Sequence, residues 1–230
     1  MKKALPALFL FAAVVAVIAW DRRGGQTPPS WTPFSSYSQP QPVPPETQAE
    51  VLRALGLELT PEAEAAASAE YPYEPALMAL GYGEYDWETD TWTPTSRQVF
   101  YMDGEVVTIE GMYDLLFQGL ESISRDELTF TEVQADFSGA DWKMDTGTVP
   151  VSFRVNEVEG RFEAVWMGDW IDFGVLDTVN SCLTGEKRFY FTYGGQGEII
   201  FYCDAAWAKD FTAQTGLPLW DRQDAGMWLP

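Results

Sequence analysis

Arg188 to Tyr193 reads Arg-Phe-Tyr-Phe-Thr-Tyr, Gly194 to Gly197 reads Gly-Gly-Gln-Gly, and Glu198 to Cys203 reads Glu-Ile-Ile-Phe-Tyr-Cys. The outer runs are β-branched and aromatic, residue types that suit a pleated surface, and the glycines between them permit the positive φ angles of a tight turn. This spacing predicts a hairpin turning at Gly195-Gln196. Both strands are apolar on both faces, which places the hairpin in the middle of a sheet. Downstream, Asp204 is a helix N-cap, Trp207 and Phe211 share one helical face, Gly216 ends the helix and Pro218 prevents its resumption. That aromatic face must lie back on the sheet.

Two similar units precede this one. Arg97 to Met102, an Asp103-Gly104 turn and Glu105 to Thr108 or Ile109 read as a hairpin. A helix then carries Met112, Leu115, Leu116, Leu120 and Ile123 on one side, with Gly119 inside the pattern. Glu127 to Asp136 is a single strand. The next hairpin joins Val149–Asn156 to Arg161–Met167 across Glu159-Gly160, and its helix presents Val175, Leu176, Val179, Cys182 and Leu183 before Gly185. Ahead of these units lie short helices over Thr47 to Gly56, from the Thr60 cap and Pro61 to Glu70, and over Glu74 to Gly81. The expected class is α+β: a mainly antiparallel sheet of about six or seven strands built from three hairpin-plus-helix units, with N-terminal helices and the helices mainly on one face.

The expected domain covers 47–230, with its helical part at 47–81, the three units at about 97–123, 149–184 and 187–216, and a Trp-containing tail at 217–230. Residues 1–23 read differently. Lys2 and Lys3 precede a charge-free apolar run from Ala4 to Trp20, and Arg22 and Arg23 follow, the pattern of a signal peptide or of a signal-anchor transmembrane segment. Val17-Ile18-Ala19 suits cleavage, whereas Trp20 and the arginines suit a retained anchor, in which residues 4–20 meet the membrane. Residues 24–46 form a Pro/Ser/Gln-rich linker. At about 3.1 Å per residue it reaches up to about 70 Å. The expected location is therefore membrane-anchored with an extracytoplasmic domain, or secreted.

The formal net charge of -21 opposes nucleic-acid binding and attracts cationic partners. Histidine is absent, which removes Ser-His-Asp and Cys-His catalysis and histidine-ligated zinc. The two cysteines, Cys182 and Cys203, are too few and too far apart for a thiolate zinc site. The hairpin register brings both to one end of the sheet, as a disulfide enclosing about 20 residues and contributing about 3 kcal/mol, or as two buried thiols.

Candidate ligand-binding residues come from the recurring Asp-Trp pairs: Asp86-Trp87, with Trp92 in the same loop, Asp141-Trp142 and Asp169-Trp170. If their loops converge, aromatic faces beside carboxylates can hold a glycan, a cationic peptide or a protein segment. Otherwise the tryptophans fill the edge of the core and the aspartates cap turns. Glu157, Glu159, Asp169 and Asp172 cluster in sequence, the raw material of a carboxylate-dependent glycan hydrolase. Asp86, Glu88 and Asp90 begin like a calcium loop, but Thr91 stands where glycine is needed and Arg97 where the bidentate glutamate belongs, so no metal site is assigned. The glycine clusters lack the lysine or third glycine of a phosphate loop, and no cofactor is expected. These readings converge on a non-catalytic binding or envelope-interaction module, with the hydrolase and a structural or inhibitory protein as alternatives.

Overall fold

The computed structural model describes residues 42–221, apart from 87, 90, 107 and 108. The expected membrane segment, most of the linker, Trp87 and the end of the tail lie outside the described residues, none of whose helices is long and apolar enough to cross a membrane. The order is α1 (Pro45–Ala54), α2 (Pro61–Ala66), α3 (Glu74–Gly81), β1 (Glu84–Asp86), β2 (Thr91–Thr93), β3 (Phe100–Asp103), α4 (Met112–Ile123) and β4 (Phe130–Ala135). Then come β5 (Ala140–Asp141), β6 (Thr146–Val155), β7 (Val158–Val165), α5 (Val175–Cys182), β8 (Arg188–Gly194), β9 (Gly197–Cys203) and α6 (Ala205–Thr215).

The fold is α+β with antiparallel strands, as the hairpin patterns require, but the strands divide among separate sheets. β3, β9 and β8 form one sheet with β9 central; β4, β5 and β7 all pair with β6 in another; β1 and β2 pair alone. β9 works as a partition. Its Ile199 and Phe201 face a core containing Leu52 of α1, Leu77 and Leu80 of α3 and Phe211 of α6. Its Ile200 faces a core shared with Phe117 and Leu120 of α4, Leu176 and Val179 of α5, and Val151 and Phe153 of β6. Period-two alternation therefore feeds two cores from one strand. Helices accordingly cover both faces of this sheet, rather than mainly one.

The β8–β9 hairpin turns at Gly195-Gln196, with Gly194 opposite Gly197 and Gly195 at φ 63°. Asp204 accepts the Trp207 N–H at 2.8 Å, and Gly216 closes α6 at φ 78°. The outer edge of β8 is bridged at Phe191 by Trp220, whose backbone exchanges hydrogen bonds with Phe191 at 2.8 and 2.9 Å.

Two hairpin readings need correction. Asp103-Gly104 is not a hairpin turn: Tyr101 pairs with Ile199 of β9, the Gly104 N–H donates to the Gln196 carbonyl, and Glu105 bridges to Trp170. The partner of β3 is thus a strand far along the chain. The β6–β7 turn lies at Asn156-Glu157, with Asn156 at φ 50°, rather than at Glu159-Gly160. Gly160 sits inside β7 opposite Phe153, where a Cβ would come within 2.2 Å of the aromatic ring. It is glycine because the ring occupies that space. The same holds for Gly119 in α4, where a Cβ would lie 2.3 Å from the Phe100 ring.

The predicted disulfide is absent, and both cysteines are free thiols. Cys203 lies opposite Arg188, as the register requires, but it packs on the α1, α3 and α6 side of β9 with Trp207 and Leu55, whereas Cys182 packs into the core on the α4 and α5 side. The partitioning sheet separates them. Cys182 donates to the Glu159 carbonyl at 3.7 Å. Burial, with the nearby Asp204 charge, pushes the Cys203 thiol up to about 12.

Candidate functional groove

The polar stripe of α4, opposite to the one that builds the core, carries Asp114, Gln118, Glu121 and Ser122 at helical spacing. It faces β4, and a hollow of about 560 Å³ opens between them, also bordered by Trp92, Pro94, Arg97 and Asp126. Phe117 of α4 and Phe130 of β4, both buried, supply apolar surface at its base, their ring centroids 5.1 Å apart. On the strand side, Glu132 adopts φ 54° where the pairing of β4 with β6 shifts register. This bulge places an additional carboxylate on the groove.

The electrostatics are one-sided. Asp114, Glu121, Asp126 and Glu132 line the hollow, and Arg97 is its single cationic side chain. Arg97 is matched to Asp126 at 2.8 Å, and Glu132 lies 3.5 Å from Arg154 outside the lining. Glu121 accepts the Phe130 N–H at 2.9 Å, which fastens α4 to the first residue of β4. Asp114 is exposed and its carboxylate makes no hydrogen bond or ion pair among the described residues. In a chain this acidic, such a hollow has negative potential and an apolar base.

Of the residues singled out in the sequence, Trp92 borders this groove. Its indole N–H donates to the Tyr82 carbonyl at 3.0 Å, and its ring meets Phe100 edge-on at 5.4 Å. Asp86 accepts the Glu88 N–H at 2.9 Å; that bond and one from Thr89 hold its carboxyl below the usual range. It caps the turn between β1 and β2. Asp141 likewise accepts from the Lys143 and Met144 N–H groups at 3.0 and 3.2 Å. Trp142 is half-exposed and packs on Trp166. The Asp169 carbonyl accepts the Val106 N–H at 2.7 Å, and Trp170 lies so close over Gly104 that a Cβ there would come within 2.9 Å of the ring.

Two of the three Asp-Trp loops meet. Trp166 donates its backbone N–H to the Gly147 carbonyl at 3.0 Å, and Asp145 lies against Gly168, which joins the Asp141-Trp142 loop to the Asp169-Trp170 turn. Trp92 borders the separate α4–β4 groove. Of the sequence cluster Glu157, Glu159, Asp169 and Asp172, two members take structural roles: Glu159 pairs with Arg154 at 2.9 Å, while Asp172 accepts the Val165 and Gly174 N–H groups at 2.8 and 2.9 Å. Among the described residues, no group of three or more acidic or cysteine side chains could hold a metal ion.

Asp114, Gln118 and Glu121 carry no motif. The only signal for them is that they occupy the polar side of α4, and every amphipathic helix has such a side. No family model, curated protein sequence or solved structure matches this chain.

Proposed function

We propose that the domain is a non-catalytic binding module that holds a cationic peptide or protein segment in the α4–β4 groove. The observation that carries this reading is the lining itself: four carboxylates against one guanidinium, around Trp92, Phe117 and Phe130. A lysine- or arginine-bearing segment gains attraction from the carboxylates and stacking contact from the partly exposed Trp92 ring. The overall charge of -21 adds long-range steering of such a partner. We place the module outside the cytoplasm, tethered or secreted, on the strength of the basic start, the charge-free run and the proline-rich linker in its sequence.

Titration of the purified protein with a short lysine- and arginine-rich peptide, followed by calorimetry at two salt concentrations, tests the assignment. Saturable binding that weakens with salt, and that the double substitution Asp114→Asn, Glu121→Gln lowers by about tenfold or more, is the expected result. Unchanged affinity in the double variant would remove the groove from the binding surface.

A further inference from the structure

We infer that the cluster of Trp142, Trp166 and Phe137 is a carbohydrate subsite, distinct from the α4–β4 groove. Trp166 is 2% exposed, yet its indole N–H has no hydrogen-bond partner among the described residues. Buried donors are nearly always paired, because leaving one unpaired forfeits the bond it would make to water. Trp142 packs on Trp166 with centroids 4.7 Å apart and planes inclined by 59°, while remaining 53% exposed. Phe137 meets Trp166 edge-on at 5.8 Å and 82°. A half-exposed indole thus covers a buried indole whose donor is unused.

The loop carrying Trp142 is lightly held. β5 contributes two residue pairs to β6, and the following turn is closed by the Asp141 carboxylate on its own backbone. The Trp142 ring can therefore tilt without unpicking the core.

The ligand class follows from the polar groups. Asp145 lies against Gly168, which follows Trp166 by two residues and precedes Asp169, and the Asp145 and Asp169 carboxylates make no hydrogen bond or ion pair among the described residues. A purely cationic ligand would suit the carboxylates but be repelled by an N–H donor. A purely apolar one would leave both unmet. A pyranose satisfies all three demands: its C–H face stacks on Trp142, a ring or hydroxyl oxygen accepts from the Trp166 N–H, and other hydroxyls donate to the aspartates.

The test uses the full chain with nitrogen-15-labelled indoles, the Trp166 resonance assigned through Trp166→Phe, titrated with maltotetraose, cellotetraose and N-acetylglucosamine tetramer, and with choline as the cationic control. The subsite predicts a saturable shift of the Trp166 indole signal with at least one oligosaccharide and its loss in Trp142→Ala. Trp166→Phe removes the donor together with one ring of the indole, so it lowers affinity about tenfold and also lowers the unfolding midpoint through the cavity it leaves in the core. No shift with any sugar at about 10 mM, or a shift with choline alone, overturns the proposal.

Discussion

Gln48 accepts the backbone N–H of Tyr73 at 2.8 Å across 25 residues of chain, and this bond fixes where α3 begins. Tyr73 holds φ 71°, a conformation that side-chain-bearing residues rarely adopt, immediately before Glu74 and Pro75 start the helix. The Gln48 amide nitrogen also donates to the carbonyls of Val43 and Ser68, at 2.6 and 2.8 Å, so one fully buried side chain ties α1 to two later segments. Gln48→Leu keeps the volume and leaves these backbone groups unmatched. At about 1–3 kcal/mol for each buried group left unsatisfied, the variant loses at least about 3 kcal/mol, measured as a lower urea midpoint.

Gly119→Ala should destabilise the protein even though alanine favours helix by about 1 kcal/mol. The added methyl meets the buried Phe100 ring, and overpacking a filled core costs about 1–3 kcal/mol. Combining Gly119→Ala with Phe100→Leu recovers part of the loss. A thermal melt of the single and double variants reads this coupling directly.

Asp204→Ala removes the cap from α6 and costs about 1 kcal/mol. Because Trp207 stacks on Phe211 at 5.3 Å and donates its indole N–H to the Leu55 carbonyl, the loosened first turn also frees this ring. Amide exchange over α6 should quicken more than over α4.

The raised thiol of Cys203 makes stability depend on pH in the alkaline range. Its ordinary value is 9.0, and in the folded protein it is pushed to about 12, so the folded state keeps a proton that the unfolded chain releases. This contribution is complete below pH 9 and is lost as pH rises from 9 towards 12. Burial raises Tyr101 and Tyr113 as well, which adds to the same alkaline loss. Cys203→Ala should flatten part of the decline in urea midpoint between pH 9 and 11. Alkylation at pH 8 should label Cys203 only slowly until denaturant is added.

What the sequence made legible was local chemistry. The β8–β9 turn, the Asp204 cap, the Gly216 stop and the Thr60 cap on Ala63, at 3.2 Å, each depend on residues within a few positions of one another. The misreadings have one physical source: a glycine after an acidic residue signals a turn only if no distant side chain needs the space. Gly160 serves Phe153, and Gly104 is overlaid by Trp170, neither of which adjacent residues disclose. The disulfide failed similarly, since register placed Cys203 correctly while nothing local showed which face of β9 each thiol would join. Trp92 was legible as an aromatic beside carboxylates, but the acids that border its groove come from α4, β4 and the segment between them.

A partition strand far downstream of the helices it covers also sets a schedule for biosynthesis. Leu52, Leu77 and Leu80 emerge from the ribosome long before Ile199, Phe201 and Phe211, against which they close. The leading helices have no wall to rest on until β9 is made, and the pairing of Tyr101 with Ile199 waits on the same event. Closure is therefore late and long-range, the regime in which apolar surface stays uncovered longest. Truncation before β9 would deprive both cores at once, leaving nascent chains of this length as natural clients for chaperones.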